Sequence, residues 1–286
     1  MKKLVLCMAV LVSSLQVMAE IKFGYDAGAE IVSSYIWRGQ YNGGLSFQPN
    51  ATVGFDAADE KVSFRIGAWG SVGASDWKFR FNQPERLDGS NPNTYFVPEV
   101  DLLATLNIYG LNLGATHYYY FGGTPFFSGL EEDGGSQTEV SLGYDFGVLS
   151  PVGLYFNWYT MVAGNDCYYE GLLGDAKRAW SSYIEVGYKQ ELPLGFSAEL
   201  QVGMTPWRST YTDYDDGWNG KGFAVTNIAA RLGKEFETEF CTIDLFLSGS
   251  INPYNLNKEN AFVWKAGDDK LYQQKVNGTI GVGIWF

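Results

Sequence analysis

The feature that most constrains this chain is a strict alternation of side chains in its last sixteen residues, 271–286. One set of alternate positions includes Val276, Ile280, Val282 and Ile284, while the other set carries mainly polar residues and glycine. A period of two residues with one apolar side is typical of a β-strand with one face in an apolar environment and one face in water. The same pattern recurs along most of the chain and indicates an all-β fold.

Runs of this alternation predict twelve strands. Their approximate ranges are 24–38, 46–57, 61–71, 95–109, 111–121, 136–147, 152–162, 180–190, 195–206, 223–235, 240–251 and 271–286. Counts of about ten or fourteen are the alternatives, since strand boundaries taken from sequence are uncertain by about two to four residues. Alternation is poor between Glu30 and Ser34, where a β-bulge would interrupt the first strand.

The connections between these strands alternate in length. Short connections near 58–60, 110, 148–151, 191–194 and 236–239 separate long ones at 39–45, 72–94, 122–135, 163–179, 207–222 and 252–270. Outer-membrane barrels have short periplasmic turns and long external loops, whereas a secreted soluble β-sandwich, the competing class, has no reason for this alternation. We therefore predict an all-β fold, a transmembrane antiparallel up-and-down β-barrel of about 12 strands.

The start of the chain predicts a secretory signal peptide. Lys2 and Lys3 precede an apolar run over 4–12, which is too short to span a bilayer, and Val17-Met18-Ala19 follows. A basic start, a short apolar core and small residues mark a signal that is removed, so cleavage is predicted after Ala19. A buried or membrane-anchoring helix is the alternative. The predicted organisation is a signal peptide over 1–19 and an outer-membrane β-barrel over 20–286.

The net charge limits the choice of partners. After cleavage, 18 basic residues stand against 32 acidic residues, which gives a net charge of −14. Such a charge argues against nucleic acid as a partner. It is compatible with loops that bind divalent cations, or with a pore that prefers cations.

The final strand ends on an aromatic residue, Phe286. In this respect it resembles the closing strand of Gram-negative outer-membrane β-barrels, which commonly end in Phe. The resemblance implies recognition by the barrel assembly machinery and residence in the bacterial outer membrane. Lipid and lipopolysaccharide of that membrane would then be the surroundings of the barrel.

Two short motifs near the start carry a second resemblance. Ser34-Tyr35-Ile36-Trp37-Arg38-Gly39 is followed, after a turn, by Gly67-Ala68-Trp69-Gly70-Ser71. Together they resemble the opening hairpin of the TorF-like porin family of Gram-negative outer-membrane β-barrels. The match covers about 40 residues. It implies an outer-membrane barrel with channel function and carries no known substrate.

Charged residues within the predicted strands are assigned to the inward face, because a Lys or Arg facing lipid costs about 2–4 kcal/mol near the bilayer midplane. The predicted pore-lining residues are Asp26, Arg38, Asp56, Arg65, Asp101, Glu139, Asp145, Glu185, Lys189, Glu199, Arg231, Glu235, Asp244 and Lys275. In an open channel, this excess of acids over bases favours cations. Alternatively, the charges pair across the lumen and fill it, which would make a rigid structural barrel.

No catalytic residue, metal site or cofactor is predicted. Outer-membrane phospholipases and lipid A deacylases use a His and a Ser two residues apart on one strand, where the base reaches the hydroxyl. The single histidine, His117, has Ala115 and Tyr119 as its neighbours on the same face. The acidic runs 213–216 and 131–133 lack the spacing of an EF-hand calcium loop.

The sequence therefore predicts a porin-like channel for passive diffusion of small polar or cationic solutes, with no chemical step. The alternative is a non-conducting structural or ligand-binding outer-membrane barrel. A lipid-modifying enzyme is a third and weaker hypothesis.

Overall fold

The described part of the chain consists mainly of long strands that follow one another in chain order. A computed structural model describes residues 21–73, 99–121, 125–130, 136–169, 175–212, 222–256, 265–266, 269–270 and 276–286. The barrel strands are β1 Lys22–Val32, β2 Ser46–Ala57, β3 Val62–Gly73, β4 Glu99–Ile108, β5 Leu111–Tyr120, β6 Ser136–Asp145, β7 Leu154–Gly164, β8 Ser182–Leu192, β9 Phe196–Thr205, β10 Ala224–Glu237, β11 Thr242–Ile251 and β12 Val276–Trp285. The predicted all-β barrel of twelve strands is confirmed.

Shorter elements lie outside the barrel wall. In the part of the chain that the structure describes, they are two 3₁₀ turns, Phe146–Val148 and Pro193–Gly195, one helical turn, Pro253–Leu256, and three strand pairs, Tyr35–Trp37 with Gln40–Gly43, Cys167–Tyr169 with Ala176–Arg178, and Lys265–Ala266 with Asp269–Lys270. Within the described ranges, no helix has the length and apolar character needed to cross a membrane. The predicted signal peptide lies outside the described residues and stays a prediction.

The sheet closes because its first and last strands pair. Strand β1 runs antiparallel to β12 from Gly28 opposite Trp285 to Val32 opposite Gly281. The other neighbours in the ring are consecutive in the chain, and each pair is antiparallel. A closed ladder pairs the backbone N–H and C=O groups that an open sheet would leave free at its edges.

The two faces of the barrel wall differ in chemistry. Exposed apolar side chains cover the outward positions, for example Ile31, Phe47, Ile66, Leu102, Leu113, Val140, Leu200, Ile228, Leu247 and Ile280. Inward positions carry polar and charged residues, and Glu139 and Asp244 are buried there. A water-soluble barrel has the opposite arrangement, so this wall suits an apolar surrounding on its outside and a polar lumen on its inside.

Tight turns join the strands at the end that holds Ile21 and Phe286, which we call the terminal end. Strands β4 and β5 are joined by Tyr109 and Gly110, whose φ angles of 50° and 88° match a two-residue hairpin turn. At the opposite end, the loop end, longer connections cover 33–45, 74–98, 121–135, 165–181, 206–223 and 252–275. The predicted alternation of short and long connections is therefore present.

The first strand is shorter than predicted. The sequence predicted a strand over 24–38 with a bulge near Glu30–Ser34, whereas β1 ends at Val32. The backbone then turns into the lumen and forms the short strands Tyr35–Trp37 and Gln40–Gly43. We call residues 33–45 the inner hairpin. The poor alternation thus marks the point at which the chain leaves the barrel wall.

The tip of the inner hairpin is a two-residue turn. Arg38 and Gly39 both have positive φ angles, 51° and 78°, which is the conformation that a type I′ hairpin turn requires. Glycine suits the second position, because a Cβ at Gly39 would lie 2.7 Å from the carbonyl oxygen of Thr226 on β10. The turn therefore packs closely against the barrel wall.

Inward glycines make room for aromatic rings on neighbouring strands. Tyr155 lies over Gly187, Tyr183 over Gly203, and Phe246 over Gly281, so that an added Cβ would come within 2.2, 1.9 and 2.1 Å of the respective side chain. Rings laid over glycines in this way cover backbone that would otherwise be bare and help to fix the register of the strands.

Gly203→Ala is expected to destabilise the barrel, because the added methyl group meets the Tyr183 hydroxyl at 1.9 Å. Overpacking of this kind costs about 1–3 kcal/mol in the free energy of unfolding. Gly24→Ala is the matched control, since its Cβ meets no described atom within 4 Å. Urea unfolding in lipid vesicles, followed by tryptophan fluorescence, measures both variants. Equal unfolding free energies would contradict this packing.

Candidate functional site

The inner hairpin crosses the lumen near the loop end. At its base, the Ser34 N–H donates to the Thr279 hydroxyl at 3.1 Å, and that hydroxyl donates to the Ser34 carbonyl at 2.9 Å. At its tip, Arg38 forms an ion pair with Glu139 of β6. Thr279 lies on β12, six strands from β6 in the ring of twelve. The hairpin therefore joins opposite sides of the barrel.

Arg38 is held by a bidentate ion pair. Its Nη1 and Nη2 atoms donate to the two Glu139 carboxylate oxygens at 2.6 and 2.8 Å. The side chains of Arg38 and Glu139 are only 8% and 3% exposed. Tyr118 donates a further hydrogen bond of 2.9 Å to Glu139, and Nη1 of Arg38 also donates to the Tyr211 hydroxyl. Planar, bidentate geometry of this kind is the strongest form of side-chain ion pair.

Aromatic rings surround the Arg38 guanidinium. Its central carbon lies 4.6 Å from the ring centroid of Trp37, 4.1 Å from that of Tyr159 and 4.9 Å from that of Tyr183. A cation over an aromatic face is attracted by the ring quadrupole, and the attraction grows where water is excluded. The rings and the carboxylate together offset the cost of removing the guanidinium from water.

The loop after β9 covers this cluster from the loop end. Tyr211 is 3% exposed, and the Thr210 N–H donates to the Ser181 hydroxyl at 2.9 Å. The Tyr254 hydroxyl donates to the Thr212 carbonyl at 2.6 Å. Burial raises the pKa of Tyr211, so its hydroxyl stays neutral while it accepts the hydrogen bond from Arg38.

A second buried cluster lies on the side of the hairpin that faces β3 and β4. Tyr35 packs against Trp69 of β3, with ring centroids 5.4 Å apart. The Glu99 carboxyl group is hydrogen-bonded to Tyr35, Tyr120 and Asp101. The two motifs that resemble the TorF-like porins therefore meet through Tyr35 and Trp69, and the first of them forms the inner hairpin itself.

Charges near the terminal end of the lumen are partly or largely exposed to water. Arg65 donates to the two Asp56 oxygens at 2.9 and 2.7 Å, and to Asp26 at 3.3 Å. The side chains of Arg65 and Asp26 are 21% and 67% exposed. Exposed ion pairs contribute about 0–1 kcal/mol to stability. This group therefore lines a hydrated entrance and contributes little rigidity.

Midway along the lumen, Arg231 of β10 occupies a mixed polar and aromatic position. It forms an ion pair with Asp244 of β11, and its guanidinium carbon lies 3.8 Å from the Phe246 ring centroid. Glu199 of β9 stands directly opposite Arg231 in the strand register. Arg231 is thus flanked by two acids.

Glu199 and one further acid at this level, Glu185, have neutral hydrogen-bond donors. The Tyr155 hydroxyl donates to Glu199 at 2.5 Å, and the Gln201 amide donates to Glu185. The Lys189 ammonium lies 5.1 Å from the Tyr155 ring centroid. The middle of the lumen therefore holds carboxylates that are hydrogen-bonded to uncharged groups.

The structure distributes the predicted pore-lining residues over three levels. Arg38, Asp101 and Glu139 lie near the loop end, then come Glu185, Lys189, Glu199 and Arg231, and Asp26, Asp56, Arg65, Asp145, Glu235 and Asp244 lie towards the terminal end. Lys275 lies outside the described residues. A role for these residues in lining a conducting pore stays a prediction.

One of the assignments is corrected in detail. Arg38 was predicted to project from the first strand, but it lies at the tip of the inner hairpin, because β1 ends at Val32. The Asp145 carboxylate accepts the Gly147 N–H at 2.7 Å and caps the turn after β6, and its place in the pore lining stays a prediction.

Sequence reasoning missed two inward acids. Glu30 lies on the inward face of β1, opposite Gln48 of β2, but it falls in the segment of poor alternation. Glu99 is two residues before Asp101 on β4 and is 4% exposed. Extending the alternation of β4 by one step would have placed Glu99 on the inward face.

A cavity of about 430 Å³ lies between the inner hairpin and the terminal end. Trp37 and Arg38 line it on the hairpin side, and its walls come from β1, β2 and β7–β12. Its charged lining residues are Glu30, Arg38, Glu185, Glu199 and Arg231. The volume falls in the range of about 300–1,000 Å³ that is usual for small-molecule sites.

His117 lies on the outward face of β5, away from the lumen. Its ring stacks near Phe126 and Phe127, with centroids 4.6 and 4.9 Å away, and its Nδ1 atom is 2.9 Å from the Thr138 hydroxyl. In the described ranges, no three His, Cys, Asp or Glu side chains are grouped to hold a metal ion. The acidic runs 131–133 and 213–216 lie outside those ranges.

Comparison with known proteins gives only distant structural similarity. The fold is similar to OmpF of Salmonella typhi in complex with daunomycin, with 8% identity, 93% of this chain and 97% of that chain covered, and a TM-score of 0.35. It is similar to a FadL homologue of Pseudomonas aeruginosa, with 9% identity and a TM-score of 0.36, over 94% of this chain and 89% of that chain. An anion-selective porin from Comamonas acidovorans shows 8% identity, 94% and 97% coverage, and a TM-score of 0.29.

No model of a protein family matches the chain, and no curated protein matches its sequence. At such low identities and TM-scores, these similarities assign no function to this chain. The resemblance of the opening motifs to the TorF-like porins stays a prediction.

Arg38→Gln is expected to lower the free energy of unfolding by about 3–5 kcal/mol, because it leaves the buried Glu139 carboxylate without its cation. Arg65→Gln is the control. It breaks a water-exposed pair and should cost about 0–1 kcal/mol. Urea unfolding in vesicles measures both.

The double variant Arg38→Met, Glu139→Leu extends this test. It should recover most of the loss, since apolar residues of similar volume replace a buried ion pair at little cost. An Arg38→Gln variant as stable as Arg65→Gln would contradict the role of this ion pair.

Proposed function

We propose that this chain is an outer-membrane channel for small polar or cationic solutes, and that the inner hairpin occludes its loop end. The observation that carries the proposal is the lumen, where a cavity of about 430 Å³ is lined by three acids and lies between an exposed entrance and the hairpin. A barrel that served only as a support would gain stability from a fully packed interior. A hydrated, acid-rich cavity is the feature that passage of solutes requires.

The outer face supports placement in a membrane. Its exposed side chains are apolar along the strands. The strands contain 10 to 14 residues, and outer-membrane strands need about 9–11. The predicted signal peptide would bring the chain to the periplasm, and the terminal Phe286 would be recognised by the assembly machinery. We therefore propose a bacterial outer-membrane location, with lipid and lipopolysaccharide around the barrel.

Selection in the channel would depend on size and charge, without a chemical step. Glu30, Glu185 and Glu199 would attract cations into the cavity and repel anions. Passage through the loop end would require displacement of the inner hairpin. Its two short strands pair with each other and not with the barrel ladder, so displacement leaves the wall intact.

A non-conducting, ligand-binding barrel is the second candidate. The observation in its favour is the tip of the inner hairpin, where Arg38 and Glu139 are almost completely buried and join the hairpin to the wall. If this ion pair never opens, the cavity is accessible from the terminal end alone.

Planar-bilayer recordings distinguish these candidates. We expect small and infrequent current steps from the refolded wild type. A variant in which residues 35–43 are replaced by a Gly-Ser linker of equal length should give larger and longer steps, because the inner hairpin then no longer crosses the lumen. Reversal potentials in a KCl gradient should show cation selectivity for both proteins.

A Gly-Ser replacement of residues 58–61, a turn at the terminal end, is the control and should behave like the wild type. An absence of steps from both the wild type and the hairpin variant would reject the channel and favour the non-conducting barrel. Anion selectivity would contradict the proposed role of the acids in the cavity.

A further inference from the structure

The cavity beneath the inner hairpin has more negative charge than its own bases neutralise. Each of its two basic lining residues already has a carboxylate partner outside the lining: Arg38 pairs with Glu139, and Arg231 pairs with Asp244. Three acids, Glu30, Glu185 and Glu199, remain on the wall. Lys189 lies nearby, against the Tyr155 ring, and counting it still leaves an excess of acids.

Two of the three acids of the cavity are held in place by neutral donors. Glu185 accepts from the Gln201 amide, and Glu199 accepts from the Tyr155 hydroxyl at 2.5 Å. Each carboxylate therefore keeps lone pairs that these hydrogen bonds do not occupy. An ammonium group, which carries three donors, is a chemical complement to such a wall.

Uncharged polar groups in the lining point to a second property of the ligand. Gln201 and Ser248 line the cavity and are half-buried, so their polar groups face it. A side-chain amide and a hydroxyl each donate and accept hydrogen bonds. A ligand with hydroxyl groups would bond both.

We propose that this cavity is a saturable binding site for a small hydroxylated amine, such as an amino sugar. The ammonium group would lie against Glu30, Glu185 and Glu199, and the hydroxyl groups would bond Gln201 and Ser248. The inference rests on the proposed function in so far as solutes enter the lumen. It goes further by assigning a fixed site and a class of solute.

Isothermal titration of the refolded protein in detergent micelles tests the site without any need for conduction. The probes are glucosamine, glucose and cyclohexylamine. We expect glucosamine to bind saturably, and to bind at least about tenfold more tightly than glucose, which lacks the charge, or cyclohexylamine, which lacks the hydroxyl groups.

Three variants assign the contacts. Glu185→Gln and Glu30→Gln should each weaken glucosamine binding by about tenfold, because each removes a charge-assisted hydrogen bond. Ser248→Ala should weaken binding of glucosamine and leave binding of cyclohexylamine unchanged. Glu235→Gln, which removes an exposed acid near the terminal end, is the control and should bind like the wild type. A heat-dependent shift on gels confirms that each variant is folded.

Equal binding of glucosamine and glucose would overturn the proposal, as would wild-type affinity in both glutamate variants. Cation-selective conductance without saturable glucosamine binding would retain the channel and reject the site. Saturable binding without conductance would retain the site and reject the channel.

Discussion

The rest of this structure depends on one constraint, the pairing of every strand with two neighbours. In an apolar surrounding, an unpaired N–H or C=O group is costly, and only a closed ladder leaves no sheet edge. Closure by β1 and β12 therefore fixes an inside and an outside. Once the barrel has an inside and an outside, the two-residue period of a strand assigns each side chain to one of these two sides. The apolar outer wall and the acid-rich lumen both follow from this assignment.

This dependence explains how much of the architecture was predictable from sequence. The range 46–57 was predicted for β2 and is the range observed, because its alternation is regular and its ends are marked by turns. Local periodicity contains no information on which strand a segment pairs with. Tyr35–Trp37 is extended like the wall, yet it pairs with Gln40–Gly43 inside the lumen. Arg38 was thus assigned correctly to the lumen but to the first strand instead of the inner hairpin. Glu30, on the inward face of the first strand, was missed.

The charges in the lumen show why the sequence left two interpretations open. Pairs that fill the lumen and charges that line a hydrated path were treated as alternatives for the whole barrel. The structure contains both arrangements at different heights. Arg38 and Glu139 are buried near the loop end, whereas Arg65 and Asp26 are exposed near the terminal end. The same ion pair chemistry contributes rigidity at one level and little at the other, because the access of water differs.

The anchoring of the inner hairpin to the last strand has a consequence for the order of folding. The bond between Ser34 and Thr279 joins residues 245 positions apart. Contacts of such long sequence separation form late, since they require the intervening chain to be organised first. The hairpin is made early in synthesis, but its docking site exists only when β12 has joined β1. An unfinished barrel therefore has no docked inner hairpin, and formation of the ion pair between Arg38 and Glu139 marks the completion of assembly.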